Sequence, residues 1–80
     1  MNPLLNRISI DPAICGGNPC IEGTRIWVEP ILDLLADGMT EAELSSEYPQ
    51  LTHDGVMAAI AYGAEMSRAR VLPVQLRRVA

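Results

Sequence analysis

The chain has 80 residues, 49% of them apolar, and a formal net charge of −4 that arises from ten carboxylates, six arginines and no lysine. This length predicts one small domain, and because a monomer of this size buries only a modest share of its surface, we expect a partner subunit. The composition excludes a membrane span, because a span needs about 20 consecutive apolar residues. It also excludes a protein that binds nucleic acid over its whole surface, because such binding needs clustered cations.

The arginines are confined to the two ends of the sequence. Arg7 and Arg25 lie in the first third, the other four lie within the last thirteen residues, and residues 26–67 contain no arginine or lysine. Any role that involves binding an anion must therefore use the ends of the chain.

The compartment can be predicted from the first residues, and the compartment in turn predicts the state of the cysteines. The start of the chain lacks the basic, hydrophobic and cleavage regions of a secretory leader, so the sequence predicts a cytoplasmic protein without membrane association. The two cysteines are Cys15 and Cys20. Because thiols stay reduced in the cytoplasm, we expect both to be free.

Two short strands are predicted near the start of the chain. Residues 7–10 and 25–28 each alternate polar and apolar side chains, as half-buried strands do. Two strands alone leave open edges and form a ribbon of marginal stability, so we expect a homodimer that pairs through them. The positions expected at this dimer interface are Ile8, Ile10, Ile26 and Val28.

A tight turn is predicted between these strands, over residues 21–24. Gly23 can take a positive φ there, so that residues 20–21 fold back on residues 25–26.

Three helices of increasing length are predicted from residue 30 onward, over residues 30–38, 40–48 and 52–70. The second has the clearest start, because Thr40 and Glu43 are spaced as a capping box. Such short connections favour a trihelical core that contains a helix-turn-helix. The predicted fold class is therefore mainly α with a short N-terminal β arm.

These elements divide the chain into three parts. We expect the β arm and a glycine-rich loop over residues 1–29, the helix-turn-helix core over residues 30–72 and a tail over residues 73–80. The third helix also contains Gly55 and Gly63, each of which weakens a helix by about 1 kcal/mol relative to alanine. We expect these glycines to permit close approach across an interface.

The loop that contains both cysteines admits several interpretations. Two thiolates separated by four residues are too few for a structural zinc site, so no metal site is predicted, and inert packing thiols are favoured over a redox pair. Gly16 and Gly17 resemble a phosphate cradle, but neither a Walker sequence nor a dinucleotide fingerprint follows. A compact loop with unusual dihedral angles is the simpler interpretation.

Candidates for catalysis are poor. His53 beside Asp54 is better explained as a solvated first helical turn than as a proton-transfer pair, because no serine or cysteine is arranged with it. We therefore predict no catalytic residue, no enzymatic activity and no cofactor. The role of Arg25 stays open, because its side chain could stack on Trp27, pair with a carboxylate or bind a phosphate.

DNA binding by this chain alone is expected to be weak. A helix-turn-helix protein reads base edges from the start of its third helix, where this chain offers His53, Asp54 and Gly55, and Asp54 would repel phosphates. The residues that we expect at a DNA interface are Arg7, Arg25, Thr52 and His53.

A family resemblance is carried by the motifs Ile-Asp-Pro, Cys-Gly-Gly-x-Pro-x-Ile-x-Gly-Thr-Arg-Ile, Leu-x-x-Gly-Met-Thr and Tyr-Pro-x-Leu-Thr. With these motifs, the stretch from Arg7 to about Pro73 resembles the domain of unknown function four-three-three. Trp27 departs from the family pattern, in which a smaller or more polar residue is expected. The resemblance marks the loop as a structural signature through Gly16, Gly17, Pro19, Gly23, Thr24 and Arg25.

The resemblance implies a homeodomain-like three-helix protein with a β arm, and an antitoxin of the VapB kind that is encoded beside a PIN-like ribonuclease toxin. Such an antitoxin neutralises its nuclease and regulates itself by binding promoter DNA. The alternative is a stand-alone dimeric DNA-binding transcriptional regulator, and a small enzyme or thiol-dependent protein is a third interpretation.

The tail is the segment expected to bind the nuclease. A PIN-type centre holds Mg²⁺ with carboxylates, and an inserted arginine can pair with those carboxylates and displace the metal. The expected partner-binding residues are Leu72, Val74 and Leu76, in an apolar groove of the nuclease, and Arg77 or Arg78, at its acidic centre. A loosely ordered basic tail is the alternative.

Overall fold

The computed structural model describes residues 2–69 of the chain. A 3₁₀ helix comes first and is followed by a two-stranded sheet and three α-helices, which confirms the predicted class of a mainly α fold with a short N-terminal β arm. The elements are the 3₁₀ helix Pro3–Arg7, β1 (Ile8–Ser9), a 3₁₀ turn at Cys15–Gly17, β2 (Cys20–Ile21), α1 (Val28–Ala36), α2 (Glu41–Glu47) and α3 (His53–Ala69). The homeodomain likeness stays a prediction.

The second strand differs from the prediction. β1 pairs antiparallel with β2, Ile8 opposite Ile21 and Ser9 opposite Cys20, whereas the predicted strand at residues 25–28 is absent from the described sheet. Only a single bridge joins Cys20 to Trp27, because the backbone enters α1 at Val28. Alternation of side chains did not distinguish a strand from the chain that leads into a buried helix.

The predicted turn at residues 21–24 is confirmed. Gly23 has a φ of +80°, and the Thr24 N–H donates to the Ile21 carbonyl oxygen at 3.1 Å. The Thr24 hydroxyl donates to the same oxygen at 2.7 Å and accepts from the Ile26 N–H at 3.0 Å. Thr24 therefore closes the turn, and residues 25–26 lie beside β2 as predicted.

The core lies between β2 and the three helices. α1 packs against both α2 and α3, and α3 also contacts both strands and the Pro3–Arg7 helix. The residues that form this buried cluster are Ile21, Val28, Ile31, Leu44, Leu51, Val56 and Ala59.

Local side-chain bonds fix the helix starts. The capping box of α2 is confirmed: the Glu43 N–H donates to Thr40 Oγ1 at 3.2 Å, and the Thr40 N–H donates to Glu43 Oε1 at 2.9 Å. The Thr40 hydroxyl also donates to Glu43 Oε1, at 3.0 Å, and the two bonds that the Thr40 N–H and hydroxyl donate to this carboxylate lower the pKa of the Glu43 carboxyl below its ordinary value. At α3 the Gly55 N–H donates to Thr52 Oγ1 at 3.0 Å.

The expected state of the cysteines is wrong, because Cys15 and Cys20 form a disulfide with a Cα–Cα distance of 6.8 Å. Three consecutive residues with positive φ, Cys15, Gly16 and Gly17, turn the chain back toward β2 and bring the two sulfurs together. The unusual dihedral angles predicted for this loop are thus present, whereas the inference of free thiols rested on the compartment alone.

The two helical glycines permit close packing within one chain, and their predicted role at an interface stays a prediction. A Cβ added at Gly55 would lie 3.1 Å from Leu51 Cδ1 and 3.3 Å from Ile21 Cγ2. A Cβ added at Gly63 would lie 3.1 Å from Leu32 Cδ1. The contacts that these glycines allow are therefore those of α3 with its own strand and with α1.

The predicted dimer residues lie in different surroundings. Val28 is 2% exposed and belongs to the core of its own chain, while Ile8 and Ile26 are half-buried against that core. Ile10 is 59% exposed. Only Ile10 therefore presents most of its side chain to a partner, and the dimer itself stays a prediction.

No helix within residues 2–69 is both long enough and apolar enough to span a membrane.

Candidate nucleic-acid interface

Two adjoining clefts lie beside the start of α3. The smaller, of about 160 Å³, is lined by Arg7 and Thr52 among others, and the larger, of about 390 Å³, is lined by Arg25. Thr24 and Gln50 line both clefts. The structure therefore brings three of the four residues predicted for DNA binding to one polar surface, which we call the arginine face.

Arg7 is held at this face by its backbone and its side chain. The Glu22 N–H donates to the Arg7 carbonyl oxygen at 2.7 Å, next to the paired strands. The Arg7 guanidinium lies 3.3 Å from Asp54 Oδ2, with both side chains about half exposed. Such an exposed pair contributes at most about 1 kcal/mol to stability, but it directs Arg7 toward the first turn of α3 and offsets the negative charge of Asp54.

Arg25 is exposed and lines the larger cleft. Within residues 2–69 no ion pair includes Arg25, and Trp27 lines a different cavity between α1 and α3. The sequence left three roles open for Arg25. Pairing with a carboxylate of its own chain does not occur within residues 2–69. The Arg25 guanidinium is available to an anion from outside the chain.

Gln50 is a component that the sequence interpretation missed. It lies between α2 and α3, two residues before the α3 cap Thr52, and lines both clefts. Glutamine is one of the residue types that read base edges, but only the first turn of α3 was considered for that role. Its position in the connecting loop, outside the third helix, gives no local signal for such a role.

His53 contacts α2 through Glu41. Its Nδ1 is 2.9 Å from both carboxylate oxygens of Glu41, so it joins the starts of α2 and α3. Its neighbour Asp54 pairs with Arg7, so His53 and Asp54 do not form a unit. Neither cleft includes His53 among its lining residues.

The His53–Glu41 pair predicts a pH dependence. The hydrogen bond and the charge of Glu41, with a smaller contribution from Asp54, raise the pKa of His53 above its ordinary value. A raised pKa in the folded state gives stability that is fully present below the unfolded-state pKa of about 6.5 and is lost as the pH rises through the folded-state pKa. An NMR titration of the imidazole is expected to give a lower pKa in Glu41→Gln than in the parent chain.

The control for this titration is Glu47→Gln, which removes an exposed carboxylate from the same helix. It is expected to leave the pKa of His53 unchanged. An equal drop in both variants would show that general acidity of α2, and not the bond to Glu41, raises the pKa.

Metal ligands are not gathered in the described part of the chain. Within residues 2–69 no group of three or more histidine, cysteine, aspartate or glutamate side chains could hold a metal ion. The predicted partner-binding residues Leu72, Val74, Leu76, Arg77 and Arg78 lie outside the described residues.

The family model described as protein of unknown function (DUF433) matches residues 8–63. The chain belongs to the DUF433 family. The DUF433 match includes Arg25, Gln50, Thr52 and His53 and begins one residue after Arg7.

A crystal structure of a DUF433 member from Anabaena variabilis ATCC 29413, at 2.00 Å resolution, resembles this chain with a TM-score of 0.68 and 36% sequence identity. The similarity covers 80% of this chain and 62% of that protein, so this chain spans less than two thirds of its DUF433 relative. No curated protein matches the chain.

Proposed function

We propose that this chain is a non-enzymatic, antitoxin-like protein that binds promoter DNA through the arginine face and a PIN-like nuclease through its C-terminal segment. The observation that supports the DNA-binding half is the placement of Arg7, Arg25, Gln50 and Thr52 around two adjoining clefts at the start of α3. The nuclease-binding half follows from the family resemblance and from the apolar and basic residues of the tail.

The arginine face suits phosphate better than base reading. The start of a helix carries partial positive charge, and Arg25 adds a full positive charge with no carboxylate partner among residues 2–69. Glutamine and threonine side chains beside it can bond phosphate or sugar oxygens. Contacts of this kind position a protein on a duplex and carry little sequence information.

The affinity of one chain for DNA is expected to be low. Residues 2–69 contain three arginines against ten carboxylates, and Asp54 offsets one of those arginines at the arginine face itself. DNA binding depends on the release of counterions by clustered cations, so a few cations give weak binding that salt abolishes. A homodimer in the cytoplasm, bound to its nuclease, would combine two such faces and strengthen binding through effective concentration.

Arg25→Gln tests the DNA-binding half. In a salt series with promoter DNA, the slope of log affinity against log salt is expected to become shallower by about 1, because one phosphate contact is lost. The matched control is Arg68→Gln, which removes the same charge from the far end of α3, where Arg68 pairs with Glu65 at 2.7 Å. Equal effects of the two variants would refute a localised arginine face and leave only general charge attraction.

The alternative is a stand-alone dimeric DNA-binding regulator, which is supported by the fact that both clefts lie in residues 2–69 and need no second protein. The two functions predict different results for a pull-down in which the tagged chain is isolated from its native cell together with the proteins bound to it. Recovery of a PIN-like nuclease that tightens promoter binding supports the antitoxin-like function. Promoter binding that is equally tight without any nuclease supports the regulator.

A further inference from the structure

An apolar groove, separate from the clefts of the arginine face, lies between α1 and α3. Its volume is about 420 Å³, and its walls include Trp27, Leu32, Tyr62 and Met66. The groove shares no lining residue with either cleft of the arginine face.

The walls of this apolar groove are unfavourably exposed to water. Trp27 is 41% exposed and Met66 is 39% exposed, although both are large apolar side chains. Leu32 and Tyr62 are half-buried between them. Covering such surface removes apolar area from water, so an apolar segment that fills the groove is stabilised there.

The rim of the apolar groove is acidic. Glu29 and Asp33 both line it, and their spacing of four residues on α1 places them on the same helix face, where like charges repel. Within residues 2–69 no ion pair includes either carboxylate. The groove therefore suits an occupant that combines apolar side chains with positive charge.

The chain itself carries such a segment immediately after the described residues. Residues 70–80 contain three of the six arginines together with Val71, Leu72, Val74 and Leu76. α3 is described as far as Ala69, and Met66 in the groove wall lies three residues earlier. Eleven residues reach up to about 36 Å when extended, whereas the α3 segment from Tyr62 to Ala69 is about 10 Å long, so the chain is long enough to return along the groove.

We propose that residues 70–80 pack into the apolar groove of their own chain, with their apolar side chains against Trp27 and their arginines beside Glu29 and Asp33. The groove then competes with a nuclease for the same segment, and a nuclease that takes the segment uncovers Trp27. Docking in the groove does not depend on the proposed function, because it needs neither DNA nor a nuclease.

Trp27 is the only tryptophan of the chain, so the tryptophan fluorescence of the protein shows whether the Trp27 side chain is covered. The experiment compares the full-length parent chain with the full-length triple variant Leu72→Ser, Val74→Ser and Leu76→Ser. The triple variant is expected to show tryptophan emission at longer wavelength and stronger quenching by acrylamide. Gln75→Ser is the control within the same segment and is expected to match the parent, and equal far-UV circular dichroism shows that all three chains are folded.

The proposed ionic contact between the acidic rim of the groove and the arginines of residues 70–80 is tested by a double-mutant cycle. Glu29→Gln with Asp33→Asn is expected to increase acrylamide quenching in the parent chain but not in an Arg77→Gln, Arg78→Gln background. Asp37→Asn with Glu47→Gln removes the same charge away from the groove and is expected to have no effect.

Three results would overturn the proposal. Unchanged emission and quenching in the triple serine variant would show that these residues do not cover Trp27. Equal effects of the groove substitutions in both arginine backgrounds would show that the rim does not bind Arg77 or Arg78. A dependence of the quenching on protein concentration would assign the groove to the segment of a second copy instead.

Discussion

Replacing Ile31 by alanine is expected to lower the free energy of unfolding by about 3 kcal/mol. Ile31 is 0% exposed and lies at the centre of the core, in the cluster that also contains Leu44 of α2 and Val56 of α3. Removing most of a fully buried isoleucine side chain loses its transfer free energy and leaves a cavity, which together cost about 2 to 5 kcal/mol. Urea denaturation followed by circular dichroism measures the difference.

The matched control for this prediction is Ile60→Ala, the same chemical change at a side chain of α3 that is 43% exposed. We expect it to change the free energy of unfolding by less than about 0.5 kcal/mol. Small domains have little stability to lose, so Ile31→Val, with an expected cost of about 1 kcal/mol, keeps the measurement within range if the alanine variant is unfolded. Similar losses for Ile31→Ala and Ile60→Ala would contradict the assignment of the core.

Reduction of the Cys15–Cys20 disulfide is expected to lower the free energy of unfolding by about 2 kcal/mol, the value that loop-closure entropy gives for so short a loop. The two cysteines are five residues apart, so the bond restricts a small part of the unfolded chain. It also connects the turn at Cys15–Gly17 to β2, whose residue Cys20 is 1% exposed. Urea denaturation with and without a reductant, at the same pH, measures the loss.

A chain with both cysteines replaced by alanine is the control for the reductant. Its unfolding midpoint is expected to be independent of the reductant, because it has no disulfide to lose. A reductant that shifts the midpoint of this variant as much as that of the parent chain would show that the effect does not pass through the Cys15–Cys20 bond.

The helices could be predicted because their signals are local. Thr40 and Glu43 are three residues apart and satisfy each other's donors and acceptors within one helical turn, so the sequence specifies this start without any tertiary contact. The second strand was placed wrongly for the opposite reason. Whether residues 20–21 or residues 25–28 pair with β1 depends on where α1 begins and on Val28 being buried, and both are properties of the folded core.

The arginine face was predictable in part. Arg7, Arg25 and Thr52 could be named because few cations and few capping residues are available, and the structure places all three beside the start of α3. The contact of His53 with Glu41 could not be predicted, because Glu41 is twelve residues away on another helix and the contact depends on how α2 and α3 are oriented. The disulfide does not follow from the rule that thiols stay reduced in the cytoplasm, because it depends on the positive φ of Cys15, Gly16 and Gly17, which brings the two sulfurs together.

The contact between the Pro3–Arg7 helix and α3 affects the order in which the fold is completed during synthesis. Ribosomes deliver a chain from its N-terminus, so Pro3–Arg7, β1 and β2 emerge long before α3, on which all three pack. Until α3 arrives, Ile31 and Leu44 lack the cover that Val56 and Ala59 provide. The nascent chain thus keeps an apolar surface open until the last described helix has emerged, and that interval is when it is most exposed to chaperones and proteases.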